Sequence, residues 1–261
     1  MKYIPFLAFI FLIPLSAMAA DPLKVKYAIY ASGFEVVNID GTYHKTDDGR
    51  YKMVMDLETA GLLGKLAPWS GLLQSEGLDK GVKSTPLTHS FANSWQGDTE
   101  TSLFEFNNDG TLTSHKKIQE DGSVEDRMPN ADVYDNGAMD MISALYRTMN
   151  KPSCEGSEVA TDGKRKFNMI FRSKGTGMIT PTKYTSFNGE VEICEVEIEP
   201  VAGKWRDKKR GWMSIQEQAK SNGQLPRIWF GKVRKDYPAI PVRFQINTDY
   251  GVMIMHLVKS K

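Results

Sequence analysis

Six Asx-Gly dipeptides separate runs of alternating apolar and polar residues, and this combination constrains the fold more than anything else in the chain. Asp40-Gly41, Asp48-Gly49, Asp109-Gly110, Asp121-Gly122, Asp162-Gly163 and Asn188-Gly189 each offer the positive φ that a tight hairpin requires. Between them the apolar residues recur every second position, the period of a half-buried strand. Val25, Tyr27 and Ile29 share one face of "KVKYAIYA", and Tyr51, Met53, Met55 and Leu57 share one face of "YKMVMDLE". The same holds for Phe167, Met169 and Phe171, and for Ile240, Val242, Phe244 and Ile246. The pattern predicts a mainly β chain built as an antiparallel meander. In "VEICEVEI" the apolar face shifts from Val191 and Ile193 to Cys194, Val196 and Ile198, which predicts a β-bulge near Ile193–Cys194. "GVMIMHLV" is apolar at almost every position, so the last strand is expected to be central or to face an enclosed cavity.

Two segments break the period. "TAGLLGKLAPWSGLLQSEG" carries Leu62, Leu63, Leu66, Trp69, Leu72 and Leu73 at helical spacing, which predicts helical structure over about residues 60–74. Gly61, Gly64 and Gly71 weaken that helix and Pro68 interrupts it, so two short turns bent at Ala67-Pro68 are expected. "DNGAMDMISALYRTMN" places Ala138, Met139, Met141, Ile142, Leu145, Tyr146 and Met149 in one broad stripe, predicting a helix over about 136–149 with Asp135 as its N-cap.

The first residues read as an address. Lys2 precedes an apolar run from Ile4 to Leu15 that is too short to span a bilayer, and Ala17-Met18-Ala19 has the small-x-small form of a cleavage site. Residues 1–19 are therefore expected to be removed, leaving 20–261 as one β-rich domain in the periplasm without a lipid anchor. No later stretch is apolar enough to cross a membrane as a helix. Removal of Lys2 takes the formal net charge from +1 to 0, which argues against nucleic acid as a partner. In an oxidising compartment the two cysteines, Cys154 and Cys194, are expected to form one disulfide.

No catalytic set stands out. His44, His89, His115 and His256 are too scattered for a local metal motif, and no metal or cofactor is expected. Ser114-His115-Lys116-Lys117 matches S-x-x-K but sits inside an alternating strand without the partner motifs. "EFNNDGTLTSHK" approaches a calcium loop until its twelfth position, Lys116, where a bidentate Glu is needed; it reads as a hairpin. Asp140, Ser143 and Arg147 share one side of the second helix and are expected to anchor structure. Lys204, Arg206, Lys208, Lys209 and Arg210 lie between Trp205 and Trp212, a patch suited to lipid headgroups or an acidic partner, or else a solvated hairpin.

An ordered series of segments gives a family resemblance. "YAIYASGFEV", "GLLGKLAPWSGLLQSEG", "DMISALYR", "TDGKRKFNMIF", Cys194 followed by "EPVAGKW", "IPVRF" and "YGVMIMHL" resemble the domain of unknown function 3108 family over about residues 24–258. The stretch "GWMSIQEQAKSNG" before "PRIWF" is longer than that family usually carries, and no catalytic residue comes with the resemblance. The resemblance implies a periplasmic envelope protein whose single curved antiparallel sheet forms a half barrel or β-spiral around the two helical segments, an architecture similar to that of periplasmic lipoprotein carriers. Met is suited to irregular apolar ligands, and an apolar ligand such as a lipid or acyl chain is expected against Leu62, Leu66, Trp69, Leu73, Met53, Met55, Met253 and Met255. Met169 is expected inside as well. The protein is expected to be a monomer; the alternatives are a scaffold that docks an envelope protein with a closed core and no ligand, or an unrecognised hydrolase.

Overall fold

The computed structural model describes residues 21–128, 133, 137–205, 212–221, 224–248 and 251–260. The first described strand lies in the middle of the sheet. Strands β1 (Leu23–Ala31), β2 (Phe34–Lys45), β3 (Arg50–Thr59), β4 (Trp69–Leu78), β5 (Thr85–Trp95), β6 (Asp98–Phe106), β7 (Leu112–Gln119) and β8 (Val124–Asp126) run outward to one edge, each paired antiparallel with the one before. The chain then crosses to the opposite edge, carrying helix α2 (Met141–Met149). It returns through β9 (Gly156–Thr161), β10 (Arg165–Ile179), β11 (Gly189–Gly203), β12 (Arg227–Gly231), β13 (Ile240–Thr248) and β14 (Gly251–Ser260), and β14 pairs with β1. The result is one 14-stranded antiparallel sheet, curved like a barrel but not closed by hydrogen bonds.

The two ends of the sheet nevertheless approach each other. The β9–β10 turn lies on the stacked rings of Phe104 and His115, so closely that a Cβ on Gly163 would come within 2.6 Å of the His115 ring. The segment before α2 is tied to β9 by Met139 N–H on the Val159 carbonyl and Thr161 N–H on the Met139 carbonyl. Alternation places Leu23, Val25, Tyr27, Tyr51 and Met53 on the inner face, where they join Phe171, Val196 and Ile228 in one apolar core.

The hairpin signals divide. Asp48-Gly49, Asp109-Gly110, Asp121-Gly122 and Asp162-Gly163 sit at turns with positive φ, whereas Asp40-Gly41 lies inside β2 and Asn188-Gly189 leads into β11. Ser114 and Lys117 are in β7, and the calcium-like stretch is the β6–β7 hairpin.

The segment 60–74 is not a helix on the inner face. Its helical part, α1, is only Gly61–Leu66 and buries no residue; Leu62 is 71% and Leu66 73% exposed. From Trp69 onward the chain is strand β4. The helical spacing misleads because three inward positions of β4 are held by small residues. At Gly77 a Cβ would fall 2.1 Å from the Thr85 carbonyl oxygen and 2.7 Å from the Tyr51 ring, so a neighbouring strand and its ring fill the space a large side chain would mark.

Helix α2 is shorter than 136–149 and is capped by Asp140, while Asp135 lies outside the described residues. The register slip is on the opposite strand from the one expected. Ser173 pairs with Cys194 and Thr176 with Glu192, so β10 carries the extra residue across from Ile193. Strand β14 is central, but only Leu257 is buried, and Val252 and Val258 are exposed on an outer face open to solvent.

Candidate functional site

Helix α2 is fixed to the inner face by a buried polar cluster. The Asp140 carboxylate accepts N–H bonds from Ile142 (3.0 Å) and Ser143 (2.9 Å), satisfying the orphan donors of the first turn. It also accepts the hydroxyls of Ser75 (2.8 Å) and Ser143, and the Tyr51 hydroxyl donates to Ser143 (2.8 Å). Burial and the Asp140 charge push the Tyr51 hydroxyl well above its ordinary pKa, so it remains a donor. Along the helix, Tyr146 stacks on Tyr51 with ring centroids 4.1 Å apart. Arg147 donates to the Val82 carbonyl (3.1 Å) and, together with Lys151, flanks the buried Glu158 at 3.4 and 2.7 Å. Ser143 and Arg147 thus face different partners.

Ser75, His89 and Asp140 meet inside this cluster, but not as a hydrolytic triad. Ser75 Oγ lies 2.7 Å and Asp140 Oδ1 3.3 Å from the same imidazole nitrogen, Nδ1. A relay needs serine and carboxylate on opposite nitrogens. Ser75 is also 1% exposed, out of reach of a substrate. The arrangement serves as a cross-link between α2, β4 and β5.

With its cap held this way, α2 and the sheet form the sides of a half-open apolar cavity of about 400 Å³, to which Met141, Ile142 and Leu145 contribute. The floor is inner-face residues of successive strands: Phe167, Met169 and Phe171 of β10, Val196 and Ile198 of β11, Ile228 of β12 and Phe244 of β13. Trp205 and Met213, from helix α3 (Trp212–Ser221), complete the wall. Helix α3 is held by Gln216, whose amide accepts the Ile198 N–H (2.6 Å) and donates to the Ile198 carbonyl (2.8 Å), replacing a strand partner beyond the start of β12. The only charged lining groups among the described residues are Asp162 and Arg165. They pair with each other (Arg165 Nε to Asp162 Oδ2, 2.8 Å), and the guanidinium lies 5.0 Å from the Trp205 ring centroid. The cavity thus has apolar walls and one self-neutralised ion pair at its rim. Chemically it can hold a hydrocarbon chain or ring; among the described residues its lining offers no hydroxyl, histidine or thiol.

None of the eight residues expected to contact a ligand lines this cavity. Met53 is closed inside the core. Met255 pairs with Phe244 of the cavity floor and Met253 with Ile246, so both lie beside the site on the same wall. Met55 and Leu73 pair with each other farther around the inner face. Trp69 donates its indole N–H to Asn93 Oδ1 (2.6 Å) beside a separate polar groove. Leu62 and Leu66 point into solvent. The patch cannot be placed as a unit: Lys204 is exposed, and Arg206, Lys208, Lys209 and Arg210 lie outside the described residues. The alternation of Phe167, Met169 and Phe171 and the α2 stripe were the usable sequence signals for the cavity; nothing local links them to Phe244.

Cys154 and Cys194 form a disulfide with Cα atoms 6.5 Å apart, joining the chain after α2 to β11. Glu192 lies close to both sulfurs, a grouping that could suggest a metal. Its carboxylate instead accepts the Cys154 N–H (3.0 Å) and the hydroxyls of Ser153 (2.6 Å) and Ser173 (3.0 Å), and the sulfurs are bonded to each other.

Comparison with known proteins adds family and fold. The model of the proteins of unknown function DUF3108 matches residues 24–258. A solved β-barrel-like protein of domain of unknown function DUF1849 from Brucella abortus superimposes with a TM-score of 0.51 at 12% identity, covering 92% of this chain and 97% of that one; this likeness concerns the fold alone. No curated protein matches the chain.

Proposed function

Because the chain belongs to the DUF3108 family of proteins of unknown function, a family name that carries no activity, we propose from its geometry that it is a non-enzymatic envelope module that holds an apolar ligand. The observation that carries this reading is the apolar cavity under α2. The cleft is half open, its volume of about 400 Å³ is within the usual range of ligand sites, and its lining is apolar apart from the Asp162–Arg165 pair. A lipid acyl chain fits both the size and the chemistry. The leader-like residues 1–19 and the disulfide support a periplasmic location.

The test is organic extraction and mass spectrometry of the protein purified from its native envelope. The expected result is an acyl-bearing species at up to one per chain, lost from the cavity-filling variant Leu145→Trp. If the wild-type protein carries no apolar molecule and takes up no fatty acid when titrated with one, the reading is wrong.

A further inference from the structure

We infer that the end of the barrel carrying α1 is a lipid-bilayer docking surface. Antiparallel pairing puts the β1–β2 turn, α1, the β5–β6 turn and the β13–β14 connection at one end of the sheet. They are neighbours there: Ser32 N–H donates to the Val252 carbonyl, Ala60 N–H to the Val36 carbonyl, and Gln96 N–H to the Pro68 carbonyl. Along this row stand Phe34 (77% exposed), Leu62, Leu66, Trp95 (48% exposed) and Val252. Monomeric proteins scatter such side chains singly; a row of them on adjacent connections marks an interaction surface.

One observation commits the occupant to lipid: the apolar residues stand on separate projecting connections, and the groove beside them is lined by polar groups such as Glu58, Thr59, Ser70 and Ser94. A protein partner would need a packed, complementary hollow, whereas a bilayer accepts separate wedges. The docking is independent of the cavity, whose covering helix α2 is fastened toward the opposite end through the Val82 carbonyl. Glu35, Glu58 and Asp98 flank Lys65 at this end, so charge supplies no net attraction and the apolar side chains must.

Flotation with vesicles of phosphatidylethanolamine and phosphatidylglycerol, in low and high salt, tests the inference. Wild-type protein should float in both. The double variant Leu62→Ser, Leu66→Ser should need at least tenfold more lipid, with an unchanged melting temperature. Val82→Ser, at the opposite end, and the cavity-filled Leu145→Trp should float as the wild type does, so a failed cavity reading remains distinguishable from failed docking. The inference is overturned if the wild type does not float, if the double variant floats equally, or if flotation disappears in high salt. It is also overturned if the α1 substitutions act by dissociating a dimer seen by light scattering.

Discussion

Helices α1 and α2 are both connections between strands, and both looked apolar and helical in the sequence, yet they do opposite things. Helix α2 is anchored at its cap by Asp140, in its middle by Tyr51 stacking on Tyr146, and at its end by Glu158 between Arg147 and Lys151. Helix α1 has no side-chain cap and no buried residue. A helix of six residues cannot hold itself by propensity, so α1 persists because its flanks are sewn into β3 and β4: the Thr59 hydroxyl accepts the Trp69 N–H and shares its one proton between the Ala67 and Trp69 carbonyls. The lesson is that apolar content does not decide burial here. What decides it is whether polar groups at the right places fasten the segment against the inner face.

The sharpest way to break the contrast is to loosen the chain beyond α2. Replacing Cys154 and Cys194 by serine opens a disulfide of sequence separation 40 and should cost about 4 kcal/mol in a denaturant melt; a loss below about 1 kcal/mol would show that α2 is not held from that side. Next in size, Asp140→Ala removes an N-cap and strands two buried hydroxyls, an expected loss of about 3 kcal/mol. Its far-ultraviolet spectrum should stay β-rich while the cavity loses any fatty-acid affinity. Tyr51→Phe leaves the stack and deletes one hydrogen bond, so about 1 kcal/mol is expected from the same melt.

A smaller effect, reduced by solvent screening, should come from acid. Burial, with help from Arg127 and Lys164, holds the His115 imidazole below its ordinary value, and burial with Arg243 does the same for His256. The unfolded chain therefore takes up protons first as the pH drops. Stability is complete above about 6.5, the unfolded histidine value, and declines below it toward the folded values. Since His115 lies where the two ends of the sheet meet, hydrogen exchange at pH 5.5 should rise first around Gly163. His115→Gln should flatten that change. The smallest effect belongs to α1: Leu62→Ser with Leu66→Ser should alter stability by no more than about 0.5 kcal/mol, as for exposed positions generally.

Most strands could be read in the sequence because one face is wet and the other dry, which writes a period of two into residues such as Tyr51, Met53 and Met55. Strand β4 escaped because Gly71, Ser75 and Gly77 occupy three of its inward positions beside Leu73, which breaks the apolar alternation, and its apolar residues then happen to fall at helical intervals. The cavity was legible only in pieces. Phe167, Met169 and Phe171 declared a face, and so did Met141, Ile142 and Leu145, but their meeting depends on the crossover from β8 to β9 and on a serine and a histidine from β4 and β5. Local pattern carries no information about such long-range partners.

Gln216 has a consequence for how the molecule behaves in a crowd. Past the start of β12, strand β11 would offer its Ile198 amide and carbonyl to any passing extended chain, and a single side-chain amide occupies both. That makes α3 a guard against self-association as well as a wall of the cavity. A Gln216→Ala protein would still fold, yet over days at high concentration it should form strand-swapped dimers or fibrils where the native chain stays dispersed.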